Sequence, residues 1–211
     1  VTTRVFGGAN LAWQLGGDAR LILELAEKHD ALALVECRTK DNEPIDVAAI
    51  LGPDWWVSQD VTDGATAGTA IAIRKGGKVK RRRIAAAYRA VVRISSGNSR
   101  VQSRYLRAAP IRVGWKRATL MAAHIPTRSS GKQDEAIAVV TKVWRSIRGR
   151  KLIFMDGNNA PREVAERITA PNFDGNGVMV WAWSKRWASV RVFWHRVKGS
   201  DHRTGTARVQ A

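Results

Sequence analysis

In several places an acid, an amide or an imidazole stands where an apolar run stops. In "KLIFMDGNNAP" (151–161) the run Leu152, Ile153, Phe154, Met155 ends in Asp156, with Asn158 two residues on. "ALALVECR" carries Glu36 near its end, "TLMAAH" closes in His124, Asn10 follows "VFGGA", and Asp201 and His202 adjoin near the carboxyl end. Carboxylates with a carboxamide are hard oxygen donors of the kind that hold Mg²⁺, and no sulfur or histidine cluster suiting Zn²⁺ is present in the sequence. Phosphodiester hydrolysis needs a charge neutralised, a water activated and a leaving oxygen stabilised. One hard cation with a carboxylate and a histidine meets all three needs. Solvated turns draw on the same residue types, so Glu36 and Asp156 can also be read as turn acids. His124 can equally be a hydrogen-bonded structural residue.

The elements that would hold these side chains follow from hydrophobic period and punctuation. The apolar run before Asp156 is too short for a helix and reads as a buried strand, and ligands in α/β sheets gather outside strand carboxyl ends. The same reading gives a strand through Val5 and Phe6, then a Gly-rich loop carrying Asn10. A helix follows over "GDARLILELAEKHD" with Asp18 as N-cap, then a strand over "ALALVECR". "WWVSQ" and "GTAIAIRK" are strands, the second preceded by the loop "DGATAG". "AVVRIS", "APIRVG" and "ATLMAAH" are further strands, with turns at "SGNS" and Gly114. Over 129–149 Ser130 and Gln133 have capping-box spacing, and Ala136, Val140, Val143, Trp144 and Ile147 form one helical stripe. Pro161 opens a short helix, "FDGNG" reads as a turn, and "GVMVWAWSKRWASVRVFWHRVKGSDHR" (177–203) reads as two strands and a final loop. Strands in runs with interposed helices predict an α/β fold: a single domain, 1–211, of two packed sheets flanked by helices.

Charge sets the partner class. The 36 Lys and Arg against 18 Asp and Glu leave a net charge of +18 and a pI of about 11.2, far beyond what solubility needs. Lys80, Arg81, Arg82 and Arg83, Lys185 and Arg186, and Arg203 are the candidate nucleic-acid contacts, because Lys and Arg on phosphates supply most non-specific affinity. Nine tryptophans run among the basic clusters and can stack on bases or fill the core; Trp144, on its helical stripe, reads as core. No basic amphipathic helix with a wide apolar face points to a membrane. With no long apolar span or signal pattern, the expected setting is the cytoplasm. Cys37 reads as a buried free thiol, and His29 and His195 as structural or surface residues.

Taken in order, "GGANL", "LALVECR", "GTAIAIRK", "AAHIP", "MDGNN" and "GSDHR" resemble the successive motifs of the endonuclease/exonuclease/phosphatase superfamily, the deoxyribonuclease-I-like proteins. The resemblance spans nearly the whole chain and implies a four-layered sandwich, two packed mixed β-sheets flanked by helices. It implies Mg²⁺, with Mn²⁺ as an alternative, held chiefly by Glu36 with Asn10 and Asp201 nearby. It implies that Asp156 aligns or deprotonates the attacking water or protonates the leaving oxygen. Asn158 would position the phosphate, and His202 and His124 would stabilise the developing charge. Relatives also carry an Asp that orients the catalytic His, in a pattern to which "VMVWAWS" is the best match; here Met179 stands in its place, and Asp174 is the nearest substitute. The expected function is therefore a Mg²⁺-dependent nuclease on DNA with little sequence preference, of phage or GC-rich bacterial type. The alternatives are a DNA-binding protein on the same fold with impaired catalysis, and a phosphatase of the superfamily. The sequence sets no oligomeric state.

Overall fold

The computed structural model describes residues 3–11, 19–38, 43–59, 68–82, 106–131, 133–196 and 203–211. Asp18, Arg83, Asp201 and His202, the segments "AVVRIS" and "SGNS", and nearly all of the loop "DGATAG" lie outside the described residues. One six-stranded sheet runs β11 (Ser189–Arg196), β12 (Arg203–Gln210), β1 (Thr3–Asn10), β2 (Ala31–Val35), β4 (Thr69–Arg74), β3 (Trp55–Gln59). The other runs β5 (Val79–Arg81), β6 (Leu106–Val113), β7 (Lys116–His124), β8 (Arg150–Asp156), β10 (Met179–Trp183), β9 (Asn172–Asn176). Both sheets follow one plan. A central parallel pair, β1 with β2 and β7 with β8, is flanked on both sides by antiparallel strands.

Each parallel pair needs a crossover, and helices supply it. Helix α1 (Arg20–Lys28) links β1 to β2 and, with α2 (Val47–Leu51), buries Ile22, Leu25, Val47 and Leu51 on the outer face of the first sheet. Helix α3 (Gln133–Ser146) links β7 to β8, and α4 (Pro161–Arg167) follows with Pro at its first turn; Val140, Trp144 and Val164 cover the outer face of the second sheet. Between the sheets, Phe6, Ile71, Ile111, Leu120, Phe154 and Trp181 form a third apolar layer. The expected four-layered sandwich of two mixed sheets flanked by helices is what the chain adopts.

Local expectations fail where tertiary contacts override turn chemistry. The segment read as a Gly-rich loop is the second half of β1, because a side chain at Gly8 would collide with the facing sheet: a Cβ there would stand 2.3 Å from Phe154 Cδ2. "FDGNG" is strand β9 closed by a turn at Gly177, and Arg203, the last residue of the segment read as ending in a loop, opens the eight-residue strand β12. Ser130 belongs to a single 3₁₀ turn, Arg128–Ser130. Gln133 opens α3, and its side chain donates to the Pro126 carbonyl at 2.9 Å instead of capping the helix reciprocally.

His29, just past α1, ties that helix to β12. Its Nδ1 donates to the Leu25 carbonyl at 2.6 Å, and its Nε2 lies 2.9 Å from Thr206 Oγ1. Burial holds its pKa below the ordinary 6.5, with the Leu25 carbonyl pulling upward and His195 and Lys28 pushing down. A folded state that resists protonation keeps its full stability above pH ~6.5 and loses it as pH falls toward the depressed folded value. Denaturant melts across this range should show an acid-side slope of roughly one proton that disappears in His29→Gln. Gly8→Ala should cost about 1–3 kcal/mol in the same melts, because Phe154 cannot retreat through the inter-sheet core without opening it.

Candidate active site

The two parallel pairs end together. Asn10 closes β1, Glu36 follows β2, His124 closes β7 and Asp156 closes β8; the register sets Asn10 beside Val35 and His124 beside Asp156. Strand alternation explains which way they point. Phe6, Gly8 and Asn10 share the inner face of β1, and Phe154 and Asp156 share that of β8. Asn10 Nδ2 accordingly donates to Asp156 Oδ2 at 2.6 Å, across the gap between the sheets, with both residues fully buried.

The turn after β8 supplies the second contact. Asn158 adopts a left-handed φ of 46° and donates its backbone N–H to Asp156 Oδ1 at 3.1 Å, an Asx-turn that Asn tolerates better than most residues. Its side-chain Nδ2 donates to the Ile125 carbonyl at 2.7 Å and lies 3.3 Å from His124 Nε2. Both Asp156 oxygens thus accept hydrogen bonds, which fixes the carboxylate plane.

Glu36 sits at φ 50°, a left-handed geometry that costs a branched or long side chain free energy and clusters at functional sites. Its Oε1 is 2.7 Å from His124 Nε2, and its Oε2 is 3.7 Å from Arg38 Nη2. The shorter contact makes Nε2–H the donor to Glu36. His124 Nδ1 is buried and has no hydrogen-bond partner among the described residues.

Glu36, His124 and Asp156 each offer a ligand atom, all within 4.8 Å of one another. Two carboxylates brought this close in a buried setting call for positive charge between them. The donor set of carboxylate oxygens, one imidazole and a nearby carboxamide fits a hard divalent cation.

The structure therefore gathers Asn10, Glu36, His124, Asp156 and Asn158, and leaves Asp201 and His202 outside the described residues. Met179 lies directly opposite Asp156 in the β10–β8 ladder and is fully buried in the inter-sheet core. Asp174 does not take the missing acid's place. It pairs with Trp181 in register, and its Oδ1 accepts from Trp194 Nε1 at 2.8 Å. Sequence reasoning gave no role to Arg38, whose signal was its spacing two residues after Glu36.

The basic candidates divide between the two ends of the molecule. Arg203 starts β12, level with the end of β1 by register, and so lies at the site end. Lys80 and Arg81 pair with Arg112 and Ile111 far from His124, and Lys185 and Arg186 follow the end of β10 that adjoins Leu152 rather than Asp156. Arg82, whose N–H donates to the Pro110 carbonyl, continues the β5 edge. These residues do not line the site that the carboxylates form.

No family model matches the sequence, and no curated protein matches it. Solved structures do match in fold. An endonuclease/exonuclease/phosphatase family protein from Bacteroides thetaiotaomicron is 12% identical over 99% of this chain and 97% of its own, with a TM-score of 0.64. D. rerio TDP2 complexed with single strand DNA product is 14% identical over 100% of both chains, with a TM-score of 0.60. The endonuclease domain of TRAS1, a telomere-specific non-LTR retrotransposon, is 14% identical over 99% of both, with a TM-score of 0.64.

If the gathered donors hold a divalent ion, Mn²⁺ at 100 times its Kd should stabilise the chain by about 2.7 kcal/mol in thermal melts. Glu36→Gln should abolish that increment, and an increment that survives the substitution would remove Glu36 from the ligand set.

Proposed function

We propose that this chain, whose fold is that of the endonuclease/exonuclease/phosphatase superfamily, is a metal-dependent phosphodiesterase: a nuclease acting on DNA with little sequence preference. The observation that carries this reading is the convergence of Asn10, Glu36, His124 and Asp156 at the carboxyl ends of both parallel strand pairs. Glu36 would be the principal ligand of Mg²⁺, or of Mn²⁺ as the alternative, with Asn10 and Asp201 as further ligands. A bound divalent ion supplies positive charge against the phosphate and its leaving oxygen.

The chain's own residues divide the remaining work. Asp156, held by the Asn10 amide and the Asn158 N–H, aligns or deprotonates the attacking water or protonates the leaving oxygen. Asn158 positions the phosphate, and His124 and His202 stabilise the charge that develops on it. Arg38 and Arg203 stand at the same end of the sheets, where they add attraction for the backbone of the nucleic acid.

Two further observations support a nucleic-acid substrate. The net charge is +18, and the fold neighbours include a TDP2 bound to single strand DNA product and a retrotransposon endonuclease domain. Among the described residues no helix is long and apolar enough to cross a membrane. The same charge argues against a phosphatase acting on small esters. Met179 favours a second reading, in which the chain binds DNA with impaired catalysis, because an apolar thioether beside Asp156 cannot orient an imidazole.

Conversion of supercoiled plasmid to nicked and linear forms at low salt, with Mg²⁺ or EDTA, separates the readings. Nicking should require the metal and fall about 10²- to 10⁴-fold in Asp156→Ala. Plasmid that is retarded on the gel yet uncut would establish the DNA-binding reading instead.

A further inference from the structure

At the end of the second sheet remote from the carboxylates, cross-strand register sets Lys80 of β5 opposite Arg112 of β6, and Arg112 opposite Arg117 of β7. Val79, Ile111, Val113 and Ala118 are buried between the sheets, so the alternating residues Lys80, Arg112 and Arg117 all face outward, and all three are exposed. Like charges directly opposed on neighbouring strands repel. None of the three forms an ion pair with a described carboxylate. The sequence offers no acid between Asp63 and Asp134, the stretch that contains all three of these strands. Lys151, in the next strand beside Thr119, is turned away to the Trp144 carbonyl, so the row ends at Arg117.

The β6–β7 hairpin that joins Arg112 to Arg117 carries an unusual tip. Gly114 takes a left-handed φ of 60°, and Trp115 beyond it is 77% exposed, the most exposed of the large hydrophobic side chains among the described residues. Lys116 Nζ stands 3.1 Å from the indole centroid, so one cation already lies on the ring while most of its surface is open to water. Trp55, Trp144, Trp181 and Trp187 are buried, and Trp115 plays no part in any described apolar cluster. A row of unpaired cations with a neighbouring open aromatic ring is the combination that binds single-stranded nucleic acid: charge for the phosphates, a π-face for the base.

We infer that Lys80, Arg112, Arg117 and Trp115 form a second nucleic-acid site, distinct from the carboxylate cluster, that takes a single strand with phosphates along the cation row and an unpaired base on Trp115. His124 is eight residues along β7 from Lys116, which at ~3.3 Å per residue separates the two sites by about 25 Å. A duplex offers its phosphates to such a row but keeps its base faces stacked internally, so the indole selects the single strand. The site does not depend on catalysis and would serve either reading of the carboxylate cluster by holding a strand at a distance from it.

The test is fluorescence anisotropy with a labelled oligonucleotide of roughly 12 nucleotides, in EDTA so that nothing is cut. It compares the full chain with Lys80→Gln/Arg112→Gln/Arg117→Gln and with Trp115→Ala, each checked by thermal melt. With roughly 0.7 counterions released per phosphate on a single strand, the triple variant should lower the slope of log affinity against log salt by about two. Trp115→Ala should weaken the single strand roughly five- to a hundredfold and leave a duplex of the same sequence nearly unchanged. Should the triple variant not fold, Arg112→Gln removes the central repelling charge and should lower the slope by about 0.7. An unchanged slope in a folded variant overturns the inference. So does an equal loss on duplex and single strand in Trp115→Ala, and so does binding of phosphatidylserine vesicles through these residues with no change in oligonucleotide affinity.

Discussion

The hydrogen bond from Asn10 Nδ2 to Asp156 Oδ2, 2.6 Å long and fully buried, is where the two halves of the molecule are pinned together. It joins the inner faces of the central strands of two sheets whose facing layer is otherwise largely apolar, with Glu36–His124 and Trp194–Asp174 as further polar contacts between them. A buried hydrogen bond to a charged group contributes about 1.5–3 kcal/mol, and removing either partner leaves the other desolvated and unsatisfied. The bond therefore holds the sheets to one alignment. Immediately beneath it Gly8 lies under the Phe154 ring with no room for a methyl group, so the close approach that the amide and the carboxylate require is built into the core itself.

From that pin the rest of the site follows by symmetry of plan. Each sheet contributes one parallel pair, each pair ends in two polar residues, and packing the sheets face to face brings all four together. The left-handed turns at Glu36 and Asn158 then aim side chains that straight strands would direct elsewhere. The position beside Asp156 in the next strand is held by Met179, an inert member of the core, so the carboxylate depends for its orientation on Asn10 and on the Asn158 turn. The two ends of the sandwich are consequently unlike: carboxylates, amides and an imidazole at one, and at the other a cluster of outward-facing cations with an exposed indole. This polarity gives the molecule a direction along its strands.

Much of this was legible in the residues. Apolar runs of strand length ending in Glu36, His124 and Asp156 marked both the strands and the site, because burial tolerates a charged group only where something compensates it. The stripe on α3 and the proline opening α4 marked helices for equally local reasons. The mistaken segments were those in which glycine and aspartate stand for something other than a turn. Gly8 is a strand residue pressed by Phe154 of the facing sheet, Gly7 one crowded by Leu32 and His29 on the outer face of its own sheet, and Asp174 is a strand residue because its neighbours supply a ladder and an indole N–H.

The sequence by itself determined the layered α/β architecture, the excess of positive charge and the identity of the polar residues at strand ends, since each is encoded in short-range pattern and composition. Only the tertiary structure decided which of those residues meet, that His124 faces Glu36 while Asp156 faces Asn10, and that Lys80, Arg81, Lys185 and Arg186 belong to the opposite end from the site. The physical reason is register. Cross-strand partners and the alignment of one sheet on the other depend on contacts between residues as far apart as positions 10 and 156, and no local property of either residue specifies its partner.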